Sequence, residues 1–306
     1  MRFEAVKSIY RAGENDRNVY FITGDYGHAH NEEFKKDWQG RYFNGGMSEQ
    51  NIIGMAAGIA LSGGKVFVYS ITPFVTLRCY EQIKVDVCDH DVDVTIVGGG
   101  SGFAYGDAGV THYSIEDIAA MRALPRMKVV CPANPMETRQ LMDQVVKLGG
   151  PAYVRIGAGK EANPEKEYEV TFGKAAVLRP GKDLTIITTG QILDEGLTAA
   201  EMLATQGIDA EVLHMHTVKP LDLAAIRTRA SAHTPIVTLE EHSVIGGLGG
   251  AVAEVLAELP EKTRFKRFGV NDEWPKVVGS QKYLRDVCGI SAAKIVPQII
   301  TFMKSK

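Results

Sequence analysis

Short apolar runs recur along this chain with amphipathic segments between them, and that rhythm restricts the fold more than any other feature. VYFIT (19–23), VFVYS (66–70), VTIVG (94–98) and KVVCP (128–132) have the length and β-branched content of buried strands. The stretches between them carry helix signals, with Asn134 as a cap before Pro135 and the pattern running on to Gly149 and Gly150. Thr72 and Pro73 announce another helix over 74–88. Strands joined through helices pack most simply as a parallel sheet with helices on its faces. A polar segment over 159–173, with Pro164 and mixed Lys and Glu, breaks the rhythm and reads as a linker. The rhythm then resumes with LTIIT (184–188), AEVLH (210–214) and IVTLE (236–240), and with helices near 193–205 and 250–258. The expected fold class is therefore α/β, with two parallel-sheet domains over 1–160 and 171–306, and 306 residues suffice for two cores.

Composition removes several function classes. A net charge of −3 leaves no basic excess for a polyanion, so nucleic acid is not an expected partner. Cys79, Cys88, Cys131 and Cys288 lack CxxC spacing and read as buried thiols rather than a zinc site or a disulfide framework. The first residues lack the apolar centre of a signal peptide, and no run approaches the length of a membrane span, so a cytoplasmic protein without a membrane role is expected.

The most informative stretch is 40–61, GRYFNGGMSEQNIIGMAAGIAL. It reads as an extended segment entering a helix, with Ser48 as cap and Glu49 in the first turn. Gly54 and Gly58 share one helical face, where missing side chains let another helix approach. On the residues alone, Glu49 complements the helix dipole as readily as it does chemistry. Phe74, Leu77 and Tyr80 recur every third residue, a spacing that suits a core stripe as well as a ring-binding wall. A glycine-rich loop over 98–109 follows the third apolar run and leads to Thr111 and His112. Glycines of this kind bring backbone close to a ligand.

The pattern from Gly46 through Glu49-Gln50-Asn51 to Leu61 resembles the pyrimidine domain of transketolases, and is similar to that of 1-deoxyxylulose-5-phosphate synthases and of 2-oxoacid dehydrogenase beta subunits. The resemblance implies that Glu49 hydrogen-bonds the aminopyrimidine ring of thiamine diphosphate and activates it for proton transfer. It places Phe74 and Tyr80 around that ring, with Leu77 where the family has a third aromatic residue. It puts Asp25, in Thr23-Gly24-Asp25-Tyr26-Gly27, near the cofactor. It maps His112, in Gly109-Val110-Thr111-His112, onto a histidine that contacts a sugar substrate, while the family aspartate falls on Ala108 and Asp107 stands one position earlier. Further substrate candidates are His28, whose loop position suits simple solvation equally, Arg155, and His242 in the C-terminal unit. The arginine that commonly holds sugar phosphate corresponds to Ala158, which implies an unphosphorylated or differently anchored acceptor.

The resemblance covers only the second and third domains of a full-length transketolase. The Gly-Asp-Gly motif with its following Asn, which holds the metal on the cofactor's diphosphate, has no counterpart here; Gly24-Asp25-Tyr26 and Gly106-Asp107-Ala108 lack the second glycine. The family therefore implies a partner subunit carrying the diphosphate domain and the Mg2+ ligands, self-association into an α2β2 assembly, and transfer of a two-carbon ketol unit from a ketose to an aldose. A 2-oxoacid dehydrogenase beta subunit or a non-catalytic scaffold are the alternatives; Thr111-His112 argues against the first and Glu49 against the second. In the C-terminal unit, Gly246-Gly-Leu-Gly-Gly250 after a strand reads as tight helix packing or an anion pocket, since it completes no nucleotide fingerprint.

Overall fold

The computed structural model describes residues 1–25, 32–159, 161–260 and 262–305. They form two compact units, the first made of Met1–Ser101 and Ala120–Phe172, the second of Gly102–Ala119 and Gly173–Lys306. The glycine-rich loop leading to His112 is thus counted with the second unit, although it lies in the N-terminal half of the chain.

The first unit contains β1 (Val19–Thr23), β2 (Tyr42–Asn44), β3 (Lys65–Ile71), β4 (Val94–Gly99), β5 (Lys128–Val130) and β6 (Ala152–Ile156). They lie in the order β5-β6-β4-β3-β1-β2, and every pairing among them is parallel. β4 and β6 are buried along their whole length, as strands covered on both faces must be. Thr23 pairs with Tyr69, Ser70 with Gly98, and Gly98 with Arg155, so the carboxyl ends of four strands finish level with one another. Open α/β sheets bind ligands at that edge. An aromatic group that the sequence pattern did not reveal fills the β1–β2 side. Phe34, 1% exposed, lies 4.7 Å from the Phe21 ring in a tilted contact and meets Trp38, 2% exposed, edge-on at 4.8 Å.

The second unit contains β7 (Ala176–Arg179), β8 (Leu184–Thr188), β9 (Ala210–His214), β10 (Thr217–Lys219), β11 (Ile236–Ser243) and β12 (Phe265–Val270). Its sheet order is β12-β11-β8-β9-β7. The pairings are parallel except at the edge, where β7 runs antiparallel to β9. The helices expected near 193–205 and 250–258 are Leu193–Ala204 and Leu248–Ala257. The C-terminal stretch Gln281–Lys304, which contains an 18-residue window of mean hydropathy 1.3, is divided into Gln281–Val287 and Ala292–Lys304 by a turn at Gly289, φ +74°. Neither piece approaches the length of a bilayer span.

Three local expectations need correction. Asn134 does cap its helix, accepting from the Glu137 N–H at 2.9 Å, but Ser48 does not cap the helix Glu49–Leu61. The Ser48 hydroxyl donates instead to the Gly45 carbonyl at 2.6 Å. The helix expected over 74–88 is broken into Thr72–Val75, a turn, Tyr80–Gln82 and a π-helical stretch Ile83–Asp89. Thr76 causes part of the break, because its hydroxyl donates back to the Thr72 carbonyl at 2.6 Å and its backbone leaves the helix at ψ −77°. Finally, the segment read as a linker is fastened to the first unit as far as Phe172.

That fastening uses two glutamines four residues apart on the helix Pro135–Leu148. Gln140 accepts from the Val170 N–H and donates to the Tyr168 carbonyl, both at 2.9 Å. Gln144 repeats the pair one turn on, with the Phe172 N–H and the Val170 carbonyl, both at 2.8 Å. The two amides act as a neighbouring strand would, and Tyr168 adds a 2.6 Å hydrogen bond to Glu137. Burial, followed by the Glu137 charge, holds the Tyr168 phenol well above its ordinary range. Replacing both glutamines by alanine should release 168–172, lowering unfolding free energy by about 2 kcal/mol. It should also make this segment the first point of proteolytic cleavage. Unchanged stability and cleavage pattern would show that the ladder holds nothing.

Candidate functional site

The helix Glu49–Leu61 buries Glu49, Ile52, Ile53, Ala56 and Ala57. That puts a carboxylate, 3% exposed, among apolar groups near the carboxyl edge of the first sheet. A buried carboxylate must be hydrogen-bonded or paired. Ser70, near the end of β3, donates to Oε1 at 3.2 Å, and Arg78 donates to Oε2 at 2.7 Å. Gly24 makes room for Ser70, since a Cβ there would lie 2.8 Å from the Ser70 Oγ. The Arg78 guanidinium also lies over the Phe74 ring, 4.3 Å from its centroid. Carboxylate, planar cation and aromatic face are thus consecutive.

Arg78 stands just past the break after Val75. Arg78 N–H donates to the Pro73 carbonyl at 3.3 Å, five residues back, which is wider than an α-helical turn. Tyr80 is fixed separately, its hydroxyl donating to the Ala120 carbonyl at 3.0 Å, and burial raises its phenol. Leu77 is 38% exposed. Asp25 follows β1 and is exposed, its N–H donating to the Gly46 carbonyl at 3.2 Å. Arg155, 3% exposed, lies within β6, and Ala158 follows its end. His28 lies outside the described residues.

The structure therefore unites Glu49 with Phe74, through Arg78, and adds Ser70. Neither Ser70 nor Arg78 was assigned from the sequence. The available signal was chemical: a first-turn glutamate in so apolar a helix needs a cation, and Arg78 is the first basic residue after β3.

His112 and Asp107 belong to the second unit. His112 is half-buried, its Nδ1 lies 2.9 Å from the Thr111 hydroxyl, and its ring meets Tyr105 edge-on at 6.3 Å. Asp107 sits exposed in the turn Gly106–Ala108. His242 is fully buried; its Nδ1 lies 2.8 Å from the Ser243 carbonyl and its Nε2 lies 3.3 Å from the Ala119 N–H. Those contacts, with the Glu240 carboxylate 3.7 Å from Nδ1, enclose the ring within the second unit. The Gly246–Gly250 turn is packed from inside by Glu240, whose carboxylate accepts from the Leu248 and Gly249 N–H groups at 2.7 and 2.8 Å. A Cβ at Gly247 would meet that carboxylate at 2.0 Å. Among the described residues, no group of three or more His, Cys, Asp or Glu could hold a metal ion.

Residues 6–160 match the family model for the transketolase pyrimidine binding domain, and residues 173–295 match that for the transketolase C-terminal domain. The chain belongs to the transketolase family. It is 40% identical over 299 residues to the 6-deoxy-6-sulfo-D-fructose transketolase subunit SqwH of Clostridium sp. (strain MSTE9), covering 97% of this chain and 92% of that protein. It is 38% identical over 269 residues to one of the subunits of the apulose-4-phosphate transketolase of Phocaeicola vulgatus, covering 87% and 86%. A solved split gene transketolase, an inactive beta4 tetramer, superposes with a TM-score of 0.86 at 33% identity over 99% of this chain and 97% of that one. These likenesses support a transketolase-like role for the chain.

Cys79 reports on how tightly the transketolase pyrimidine unit closes beneath Arg78. It is fully buried and donates to the Phe74 carbonyl at 3.0 Å. Burial, with a smaller contribution from the Glu49 charge, pushes its thiol up to about 12. At pH 8 it stays overwhelmingly protonated. A disulfide reagent should therefore leave Cys79 unmodified in the folded chain and label it on unfolding. Labelling of the folded chain at the rate of a free thiol would show that the Phe74–Cys79 turn opens.

Proposed function

We propose that this chain is the pyrimidine-holding subunit of a split, thiamine-diphosphate-dependent transketolase-like enzyme that transfers a two-carbon ketol unit from a ketose to an aldose. The observation that carries this reading is the Glu49–Arg78–Phe74 arrangement. A planar group bearing N–H donors fits between a buried carboxylate and an aromatic face, and an aminopyrimidine is such a group.

Glu49 would hold a proton at the ring nitrogen, with Ser70 fixing the carboxyl orientation through Oε1. Phe74 and Tyr80 would enclose the ring and exclude water, with Leu77 completing the wall and Asp25 nearby. When bound, thiamine diphosphate supplies a carbanion-stabilising centre for cleaving and forming the carbon–carbon bond. His112 and Asp107 are proposed to contact sugar hydroxyls. Arg155, buried within β6, would support the ring site rather than touch substrate.

Diphosphate and Mg2+ would be held by a partner subunit of the same cytoplasmic enzyme, completing an α2β2 assembly. The sequence has no diphosphate-and-metal motif. A relative of nearly equal length seen as an inactive beta4 tetramer fits a chain that self-associates and lacks activity alone. Relatives that act on a sulfo-sugar and on a phosphorylated sugar both support a short sugar substrate with a terminal anion. Ala158, standing where a phosphate-binding arginine is expected, favours anchoring by another group.

Glu49→Gln should keep the fold and lower turnover of the reconstituted enzyme at least about 10²-fold, roughly 2.7 kcal/mol of barrier. Undiminished turnover would remove Glu49 from catalysis. Calorimetry should show magnesium-dependent binding of thiamine diphosphate only when a partner subunit is mixed in, because half a site lacks the metal ligands. Tight magnesium-dependent binding by the chain alone would end the split-enzyme reading. His112→Ala should reduce ketol transfer more than it weakens cofactor binding, and equal losses would make His112 a structural support.

A further inference from the structure

We infer that Arg78 is an internal stand-in for the aminopyrimidine ring, occupying the ring's two principal contacts and leaving them when the ring binds. This rests on the pyrimidine-holding role proposed for Glu49. The guanidinium makes both interactions that such a ring requires, an N–H bond to Glu49 Oε2 at 2.7 Å and a stack on Phe74 at 4.3 Å. Both groups are flat, delocalised and rich in N–H donors, so one replaces the other without leaving a buried acceptor unsatisfied.

The ion pair is lopsided in a way that fixes which member moves. The Glu49 side chain is 4% exposed, held by its helix and by Ser70, whereas that of Arg78 is 44% exposed. Arg78 can swing its head into water on a flexible stem while Glu49 stays in place. In the free chain it keeps the carboxylate paired and the Phe74 face covered, at the expense of affinity for the ring. A ligand must therefore displace it before binding.

Thiamine lacks the diphosphate and so probes the pyrimidine contacts without metal or partner. Titrated into the full chain and followed by ligand-observed NMR, it should bind Arg78→Ala about fivefold more tightly than the unaltered chain, the size expected from removing a partly exposed ion pair as competitor. The free variant should melt at a lower temperature and regain more on adding thiamine. Arg78→Met, which keeps an apolar stem over Phe74, should show the same gain if the alanine variant folds poorly. Binding that is equal, weaker or undetectable in both variants overturns the inference, because a structural or ring-contacting arginine would give that result. Adding Glu49→Gln to the Arg78→Ala chain separates the two ideas, because no arginine then competes for the site. If the double variant binds thiamine as tightly as Arg78→Ala alone, the Glu49 assignment itself fails, whatever Arg78 does.

Discussion

Burying the Glu49 carboxylate obliges the chain to bring donors to it, and much of the local architecture answers that demand. The level carboxyl ends of the parallel strands deliver Ser70 to one oxygen. The interrupted helix after β3 delivers Arg78 to the other. A regular α-helix over 74–88 would also have put Arg78 beside Phe74, since residues four apart share a helical face. Here the backbone instead turns at Thr76 and closes a wide bond from the Arg78 N–H to the Pro73 carbonyl, and the guanidinium lies over Phe74 and meets Glu49. The irregular backbone here carries a charge as well as joining two elements.

Strand positions and domain order were readable in the sequence because buried parallel strands leave uninterrupted apolar runs such as VTIVG and LTIIT. Short strands such as Tyr42–Asn44 and Phe265–Val270 were not, since they carry polar residues and lie outside those runs. The assignment of 102–119 to the second unit was equally hidden. It depends on contacts far apart in sequence, including the Phe103 N–H to Glu241 at 2.6 Å and the Tyr113 hydroxyl to the Val277 carbonyl at 3.1 Å.

At the site, Glu49 and Phe74 stood out as a motif, and motif reading depends on residue type at fixed spacing. Ser70 and Arg78 did not, because a serine ending a strand and an arginine in a helix are ordinary until the buried acid between them is seen. The linker shows the same limit from the other side. Its polar composition suggested a free tether, yet Gln140 and Gln144 supply a backbone-like edge that a composition count does not weigh.

Glu240 has the converse role to Glu49. It satisfies the amides of a helix start from within, so the glycine-rich turn that outwardly resembles a phosphate cradle already contains its anion. Glycine at 247 is then required by the girth of a carboxylate rather than by the approach of a nucleotide. The same short signature thus has opposite meanings for traffic at the surface. Where the amides point outward, it recruits charged metabolites; where a resident side chain answers them, as Glu240 answers Leu248 and Gly249, those amides are already taken.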